Sequence, residues 1–353
     1  MFLSCACVFI LLWWCGCMVN KILVIRIDFL GDMVCTTPFI HSLRKRWPKS
    51  EIHVLANRYN SSIVINNPDV DFVYHYVYSK NHHKNDKPGL FYALINRIKL
   101  ILTLRREKFD LLVIPNGGMN KNSINFAKRI GVKDSRWHNE LTEFDDRNEE
   151  HAKTRLISHE MYSGYKLVPE IHVDKIENIR LWIYPQLDLI EKWRLCFEKK
   201  NRLNIGFFIS NNNISRRWSW DKWKELASKI STYCNVIIFH DPCEKINDVF
   251  LLEGVRFLKT NTVADLVAAM TYLDVVISAD SAPVHISSAL SIPVVALFES
   301  RPEKFLRWYP VGVESIILHE GETVNDIRVE SVCLAIKKIT SKIRLDCSEN
   351  FLG

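Results

Sequence analysis

Residues 275–298 restrict the fold more than any other stretch of this chain. Val275 to Ala279, with only Ser278 polar, and Val294 to Phe298 are apolar runs, each long enough for one strand. Runs without polar alternation belong to strands buried on both faces, the situation in a parallel sheet covered by helices. Between them, Asp280-Ser281-Ala282-Pro283-Val284-His285 and the residues up to Pro293 leave room for a tight turn and a short helix. Ser281 is a favourable N-cap, and Pro283 fits a first helical turn, where its missing N–H costs nothing. A helix starting there aims free N–H groups and the positive end of its dipole past the strand end, which suits a phosphate. Ser281 adds a hydroxyl, and His285 is placed to face the same crevice. Taken alone, the fragment is more simply a capped helix with a packing histidine; the rest of the chain decides.

At 353 residues, nearly half of them hydrophobic and a quarter charged, the chain is globular material long enough for two domains. The formal charge of +7 is spread along the sequence, and no basic stretch is long or aromatic-interleaved enough for nucleic acid. Such a balance fits an anionic small molecule or an anionic membrane face. Cys5, Cys7, Cys15 and Cys17 sit in an apolar leader without His, and the other cysteines show no CxxC spacing. This argues for a reducing compartment without disulfides or a zinc site.

The leader, residues 1–17, runs into the first strand without a linker, so Met18 is the expected initiator and a short membrane anchor the alternative. Ile22 to Ile27 is a buried-strand run, followed by Asp28-Phe29-Leu30-Gly31-Asp32. Gly31 permits a sharp turn or a close backbone approach. Thr37 and Pro38 are expected to open a helix with Phe39, Ile40, Leu43 and Trp47 on one face. Asp28 and Asp32 then lie in the loop at the carboxyl end of the first strand, where ligands gather in open α/β sheets. One of the pair is a natural partner for Arg26.

Further strands are expected at 51–55, 70–77 and 109–114, and the Asp69-Val70-Asp71 triplet reads as a turn rather than a metal-nucleotide motif. Leu90 to Arg106 reads as an amphipathic helix. Leu90, Leu94, Ile98, Ile101 and Leu102 form its apolar stripe, with Arg97, Lys99, Arg105 and Arg106 outside it. Such a basic face suits anionic lipid, though solvent is its commoner neighbour. His151 and His159 are candidates for the acceptor side against a plainer reading as surface histidines. The second half repeats the style, with strands at 204–209, 236–239 and 255–257, helices at 220–230 and 264–270, and a last amphipathic helix over 324–339.

Two motifs carry a family likeness: Arg26-Ile27-Asp28-Phe29-Leu30-Gly31-Asp32-Met33-Val34-Cys35-Thr36-Thr37-Pro38, and Asp280-Ser281-Ala282-Pro283-Val284-His285 with Pro293-Val294-Val295-Ala296-Leu297-Phe298. Together they resemble glycosyltransferase family nine, the ADP-heptose–lipopolysaccharide heptosyltransferases and their relatives. Arg216-Arg217-Trp218 resembles a third motif, the basic-aromatic loop that meets the donor phosphates. The likeness runs from about Met18 to Ile339.

The resemblance implies an α/β protein of the GT-B fold, two Rossmann-like domains facing across a cleft. The expected division is a leader at 1–17, an acceptor-side domain at 18–175, a nucleotide-sugar domain at 176–340 and a tail at 341–353. Asp32 matches the catalytic base. Arg216, Asp280, Ser281, Ala282, Pro283 and His285 match the donor side, with Asn212 and Glu244 in the loops beside them. Arg26, Asp28, Gly31 and Thr36 fall on the acceptor side. Ala282, and Glu299 after the Leu-Phe pair, stand where the family usually has Gly; a carboxylate near a diphosphate is repulsive.

The implied reaction is inverting transfer of a sugar, a heptose from ADP-heptose, to lipopolysaccharide or a related surface glycan. It needs no metal or cofactor beyond the donor substrate, because Arg216 and a helix N-terminus compensate the leaving diphosphate. The expected place is the cytoplasm or the cytoplasmic face of the inner membrane, with an anionic membrane surface as a further partner. A nucleotide-sugar epimerase of the same fold and a non-catalytic nucleotide-sugar binder are the alternatives.

Overall fold

The computed structural model describes residues 19–79, 81, 83, 85, 87, 89–142, 144–173, 178–197, 202–211, 213–240 and 253–349. The leader, the expected domain boundary at 175/176 and the donor-side candidates Asn212 and Glu244 lie outside the described residues.

Two parallel sheets organise the chain. In the first, β1 (Lys21–Arg26), β2 (Glu51–Ala56), β3 (Phe72–His75), β4 (Leu111–Ile114) and β5 (Asp134–Trp137) lie in the order β3-β2-β1-β4-β5. In the second, β6 (Asn204–Phe208), β7 (Asn235–Phe239), β8 (Val255–Leu258), β9 (Val275–Ala279), β10 (Val294–Leu297) and β11 (Ser315–Leu318) lie in the order β11-β10-β9-β6-β7-β8. Ile22 pairs with both Ile52 and Leu111, and Ile205 with Val275, so β1 and β6 are central strands. Their interior residues are inaccessible to solvent, as the unbroken apolar runs require.

The strand order reverses between β1 and β4 in one sheet and between β6 and β9 in the other. Loops leaving the carboxyl ends of these strands diverge there and open a crevice. β5 and β11 were not among the expected strands; β5 carries no strong signal in the sequence, whereas β11 is apolar at Ile316, Ile317 and Leu318. β5 is a short edge strand of mixed polarity, held partly by Arg136 bridging Asp134 and Glu170.

Helix α1 (Leu30–Arg46) corrects the expectation of a start at Thr37-Pro38: it begins seven residues earlier and carries Pro38 in its interior. Proline there removes the N–H that would bond to the Val34 carbonyl. The Thr37 hydroxyl takes over, donating to Val34 O at 2.7 Å, and the same oxygen accepts from Trp182 N at 2.8 Å. One side chain thus repairs the helix and fastens the segment that leads to the second sheet.

Helix α2 (Leu90–Arg106) is turned relative to expectation. Ala93, Arg97 and Leu104 are its buried residues, whereas Leu90, Leu94, Ile98 and Leu102 face outward; of the expected packing stripe only Ile101 packs on the core. The cause is Arg97, whose Nη1 donates to Val77 O at 2.7 Å while its guanidinium lies over the rings of Tyr76 and Phe126. Two aromatic faces and a carbonyl make that pocket favourable for a cation and fix the helix rotation.

Helix α3 (Lys121–Ile130) packs beside α2 and ends at Gly131 in the left-handed conformation. The short α4 (Glu149–Thr154) follows, and α5 (Leu187–Arg194) lies between the sheets in sequence. The second sheet is covered by α6 (Trp220–Ile230), α7 (Val263–Met270), α8 (Ala282–Ala289), α9 (Pro302–Arg307) and α10 (Val329–Glu349). The last helix begins at Val329 rather than Val324 and continues beyond 340. The acidic triplet at 69–71 is structural: Asp69 bonds His41, and Asp71 takes Arg44 and the Ile52 amide.

Replacing Thr37 by Val is expected to leave the Val34 carbonyl and the Trp182 amide without partners. At ~1–3 kcal/mol for each such group, Thr37→Val destabilises the protein by about 2–6 kcal/mol. The measurement is the urea midpoint at unchanged slope; an unaltered midpoint removes the hydroxyl from the account.

Candidate active site

The carboxyl ends of β1 and β4 supply one wall of a cleft of about 1880 Å³, and those of β6 and β9 supply the other. Arg26, the last residue of β1, is 1% exposed and holds three carboxylates. Its Nη2 donates to Asp32 Oδ1 at 2.7 Å and to Glu160 Oε1 at 2.9 Å, and its Nε lies 2.9 Å from Asp28 Oδ1. Nη1 donates to the carbonyl of Pro115 at the end of β4. Asn116 donates to the other oxygen of Asp28. Asp32 sits in the first turn of α1, where its Oδ2 accepts the Phe29 amide at 3.2 Å.

Glu160 joins this cluster to the second wall. Its Oε1 also accepts the Gly117 amide, and its Oε2 accepts Arg307 Nη2 at 2.7 Å and Nε at 3.1 Å. Burial raises the cost of its charge, but Arg26 and Arg307 outweigh this and hold its carboxyl below the usual range. Asp32 goes the other way. Burial first, and the neighbouring Asp28 charge second, push it up to about 8 against the opposing pull of Arg26. The Asp28 carboxyl is raised too, chiefly by burial.

On the second wall the turn after β9 carries Asp280 and Ser281 into α8. Arg216 Nη1 lies 3.2 Å from Asp280 Oδ2, and Asn211 Nδ2 donates to the Asp280 carbonyl at 2.9 Å. Lys304, on α9, lines the same part of the cleft. Its ammonium is held below the ordinary value by burial and by the Arg216 charge, so two cations converge on one space beside a helix N-terminus. That is the electrostatic signature of an anion site.

The walls touch at Gly31. A Cβ there would come 2.9 Å from His285 Cδ2 and 3.5 Å from the Ala282 backbone, so α1 and α8 approach as closely as they do only because residue 31 has no side chain. His285 is buried, its Nδ1 is 3.5 Å from Cys35 Sγ, and burial and then His159 push it down to about 3. His159 is also buried, is pushed down to about 4 by burial, and bonds the Tyr309 carbonyl through Nε2. Both imidazoles are neutral at physiological pH.

Residues 97–336 match the family profile described as glycosyltransferase family 9 (heptosyltransferase). The chain belongs to this family. It is 22% identical over 309 residues to lipopolysaccharide heptosyltransferase 3 of Escherichia coli, covering 83% of this chain and 87% of that protein. Its fold is similar to that of a family 9 glycosyl transferase from Veillonella parvula DSM 2008, with a TM-score of 0.73 and 19% identity over 92% of this chain and 98% of that one. It is likewise similar to E. coli ADP-heptose lps heptosyltransferase II, with a TM-score of 0.63 and 18% identity over 92% of this chain and 99% of that one. The protein is a family 9 glycosyltransferase of the GT-B fold.

Most of the site residues expected from the sequence of this transferase converge on the cleft. Arg26, Asp28, Gly31 and Asp32 line one wall; Arg216, Asp280, Ser281, Ala282, Pro283 and His285 line the other. Thr36 does not line it: one helical turn beyond Asp32, it is buried and returns its hydroxyl to the Asp32 carbonyl. Ser281 occupies the N-cap position without a side-chain cap bond; its hydroxyl donates to Ala279 O and meets Ser278 Oγ. In the basic-aromatic loop only Arg216 lines the cleft, since Trp218 is buried against the second sheet and bonds the Ile327 carbonyl. His151 and His159 are buried rather than on the surface. Glu299 acts on Asp280 through its charge but is not among the cleft-lining residues.

Four residues escaped the sequence reading: Asn116, Glu160, Lys304 and Arg307. Asn116 was accessible in principle, as the residue just past β4 at a sheet reversal. Glu160 and Arg307 belong to no local motif and acquire meaning only by meeting across the cleft. Glu160→Gln removes the one carboxylate that bonds both Arg26 and Arg307, leaves Arg307 with Glu303 at 3.6 Å as its nearest remaining counter-charge, and is expected to destabilise the protein by about 3–5 kcal/mol. A chemical-denaturation midpoint equal to that of the wild type would show that the Arg26–Glu160–Arg307 bridge contributes nothing.

Proposed function

We propose that this transferase moves a heptose from a nucleotide diphosphate donor, ADP-heptose, to lipopolysaccharide or a related surface glycan, in one inverting displacement that needs no metal. The observation that carries the reading is the placement of Asp32. Its carboxyl is poised near neutral pH on one wall, and Arg216, Lys304 and the start of α8 face it from the other.

The acceptor oxygen attacks the anomeric carbon as the bond to the donor diphosphate breaks. The hydroxyl proton passes to Asp32, and the diphosphate leaves with the shared electron pair. A base with a pKa near the working pH is the most effective one. Arg216, Lys304 and the positive end of α8 compensate the charge that develops on the leaving oxygen. These cations take the role a divalent ion has in other sugar transferases. The clusters of ligating side chains found among the described residues are each closed by a cation of the chain itself. Lys21 bridges Glu51 and Glu107, while Arg301 reaches Asp146 and Glu303. The names of the relatives support heptose, an ADP donor and a lipopolysaccharide acceptor. This chemistry belongs in the cytoplasm, at the inner face of the membrane that carries a lipid-linked acceptor.

Asp32→Asn removes the base while keeping shape and one acceptor oxygen. Turnover is expected to fall by roughly 10²–10⁴-fold with donor affinity unchanged. The melting temperature at neutral pH should hold, because the Asp32 carboxyl, pushed up to about 8, is already largely protonated there. Near-normal turnover on a verified acceptor would sink the assignment. In the wild type, kcat/KM rises with pH as Asp32 loses its proton around 8. Asp28→Asn removes a negative neighbour and moves that limb to lower pH; a limb that stays in place separates Asp28 from the base.

Arg216→Ala is expected to weaken ADP binding by ~1.5–3 kcal/mol, the usual contribution of a charge-assisted contact to phosphate. Calorimetry with ADP tests this, and equal affinity in the two proteins excludes Arg216 from the donor site.

A further inference from the structure

The outward face of α2 has no counterpart in the reaction just described. Phe91 is 73% exposed, Leu94 55%, Ile98 49% and Leu102 46%, with Leu90 and Tyr92 exposed beside them. At about 100° per residue, positions 91, 94, 98 and 102 fall within a sector of roughly 80°, centred about 120° round the helix from the buried Ala93–Arg97–Leu104 edge. A row of large apolar side chains left in water along several helical turns is unfavourable unless something covers it.

The charges around this row are of one sign. Helix α2 carries Arg97, Lys99, Arg105 and Arg106, and α3 carries Lys121, Lys128 and Arg129; neither helix contains Asp or Glu. All but Arg97 are exposed. Arg105 Nε donates to the Arg129 carbonyl at 2.8 Å, which holds the two helices side by side as one basic surface. The surface is continuous with the cleft, because Asn120 and Lys121 at the start of α3 line the cleft on the wall of Asp32.

We propose that the α2–α3 face docks on an anionic lipid surface. The apolar row of α2 enters the headgroup boundary, and Lys99, Arg105, Arg106, Lys128 and Arg129 meet lipid phosphates. An apolar strip bordered by cations and free of carboxylates is the composition of an interfacial helix. At 17 residues with four basic side chains, α2 rests on a bilayer rather than crossing it; among the described residues no helix is long and apolar enough to span. A second copy of this chain fits less well, since an identical basic face would oppose it. The docking deepens the proposed function by bringing the Asp32 wall to a membrane-embedded acceptor, yet its test requires neither donor nor acceptor.

The experiment is co-sedimentation of the full chain with vesicles of phosphatidylglycerol and phosphatidylcholine, and with phosphatidylcholine alone, at low and high salt. The wild type is expected to bind the anionic vesicles and to be released by salt. The triple variant Leu94→Ser, Ile98→Ser, Leu102→Ser and the double variant Lys99→Glu, Arg106→Glu should each bind about ten-fold or more weakly. Both alter exposed side chains only, so circular dichroism and ADP affinity should match the wild type. Equal binding of wild type and variants overturns the proposal, as does a wild type that ignores anionic vesicles. Sedimentation velocity that shows a dimer abolished by the triple variant, without lipid binding, assigns the face to self-association instead.

Discussion

A guanidinium buried at the end of the central strand organises this enzyme. Arg26 has almost no access to water, and a charge so placed is tolerable only when surrounded by partners. It recruits Asp28 and Asp32 from its own loop and Glu160 from a distant part of the chain. Glu160 in turn recruits Arg307 from the second half. The ionic cluster that settles the loop after β1 is therefore also a strut between the two walls.

The charge balance of that cluster bears on the raised carboxyl of Asp32. Asp28, Asp32 and Glu160 all converge on Arg26, and of these only Glu160 has a second guanidinium, so full ionisation puts excess negative charge around Arg26 in a buried space. Glu160, bonded by both cations, remains ionised, and the excess falls on the aspartates, whose carboxyls are raised. Asp32 is the one of them in the first turn of α1, at the cleft. The Asp32 carboxyl is pushed up to about 8 by its burial first and by the neighbouring Asp28 charge second, which together outweigh the pull of Arg26.

Contact between the walls depends on what is missing as much as on what is present. Gly31 has no side chain, His285 and His159 carry no charge, and this lets α1 and α8 meet without steric or electrostatic repulsion. The sheet reversals beside β1 and β6 do the rest, since they put the divergent loops of both domains opposite one another. On the outer side of the first domain, Arg97 again shows a buried cation deciding geometry. Held by Tyr76, Phe126 and the Val77 carbonyl, it turns the apolar row of α2 outward, where a lipid surface can use it.

The central strands and the turn at 280–283 were determined by the sequence itself, because buried parallel strands require unbroken apolar runs and a helix start requires its cap and proline. Asp32 and Arg216 were legible through the family-like motifs that contain them, in the segments that follow β1 and β6. Local pattern misled where a long-range partner outweighed it. Pro38 lies inside α1 because Thr37 replaces the lost hydrogen bond, and Leu94 faces out because Arg97 finds two aromatic rings. Edge strand β5 is short and of mixed polarity, so it carries little apolar signal, whereas β11 is apolar but only four residues long. Glu160, Lys304 and Arg307 lie in segments whose local pattern is merely polar. Only the tertiary structure decided their roles, because a charge in a sequence has no partner until the fold brings one within a few ångströms and removes the water between them.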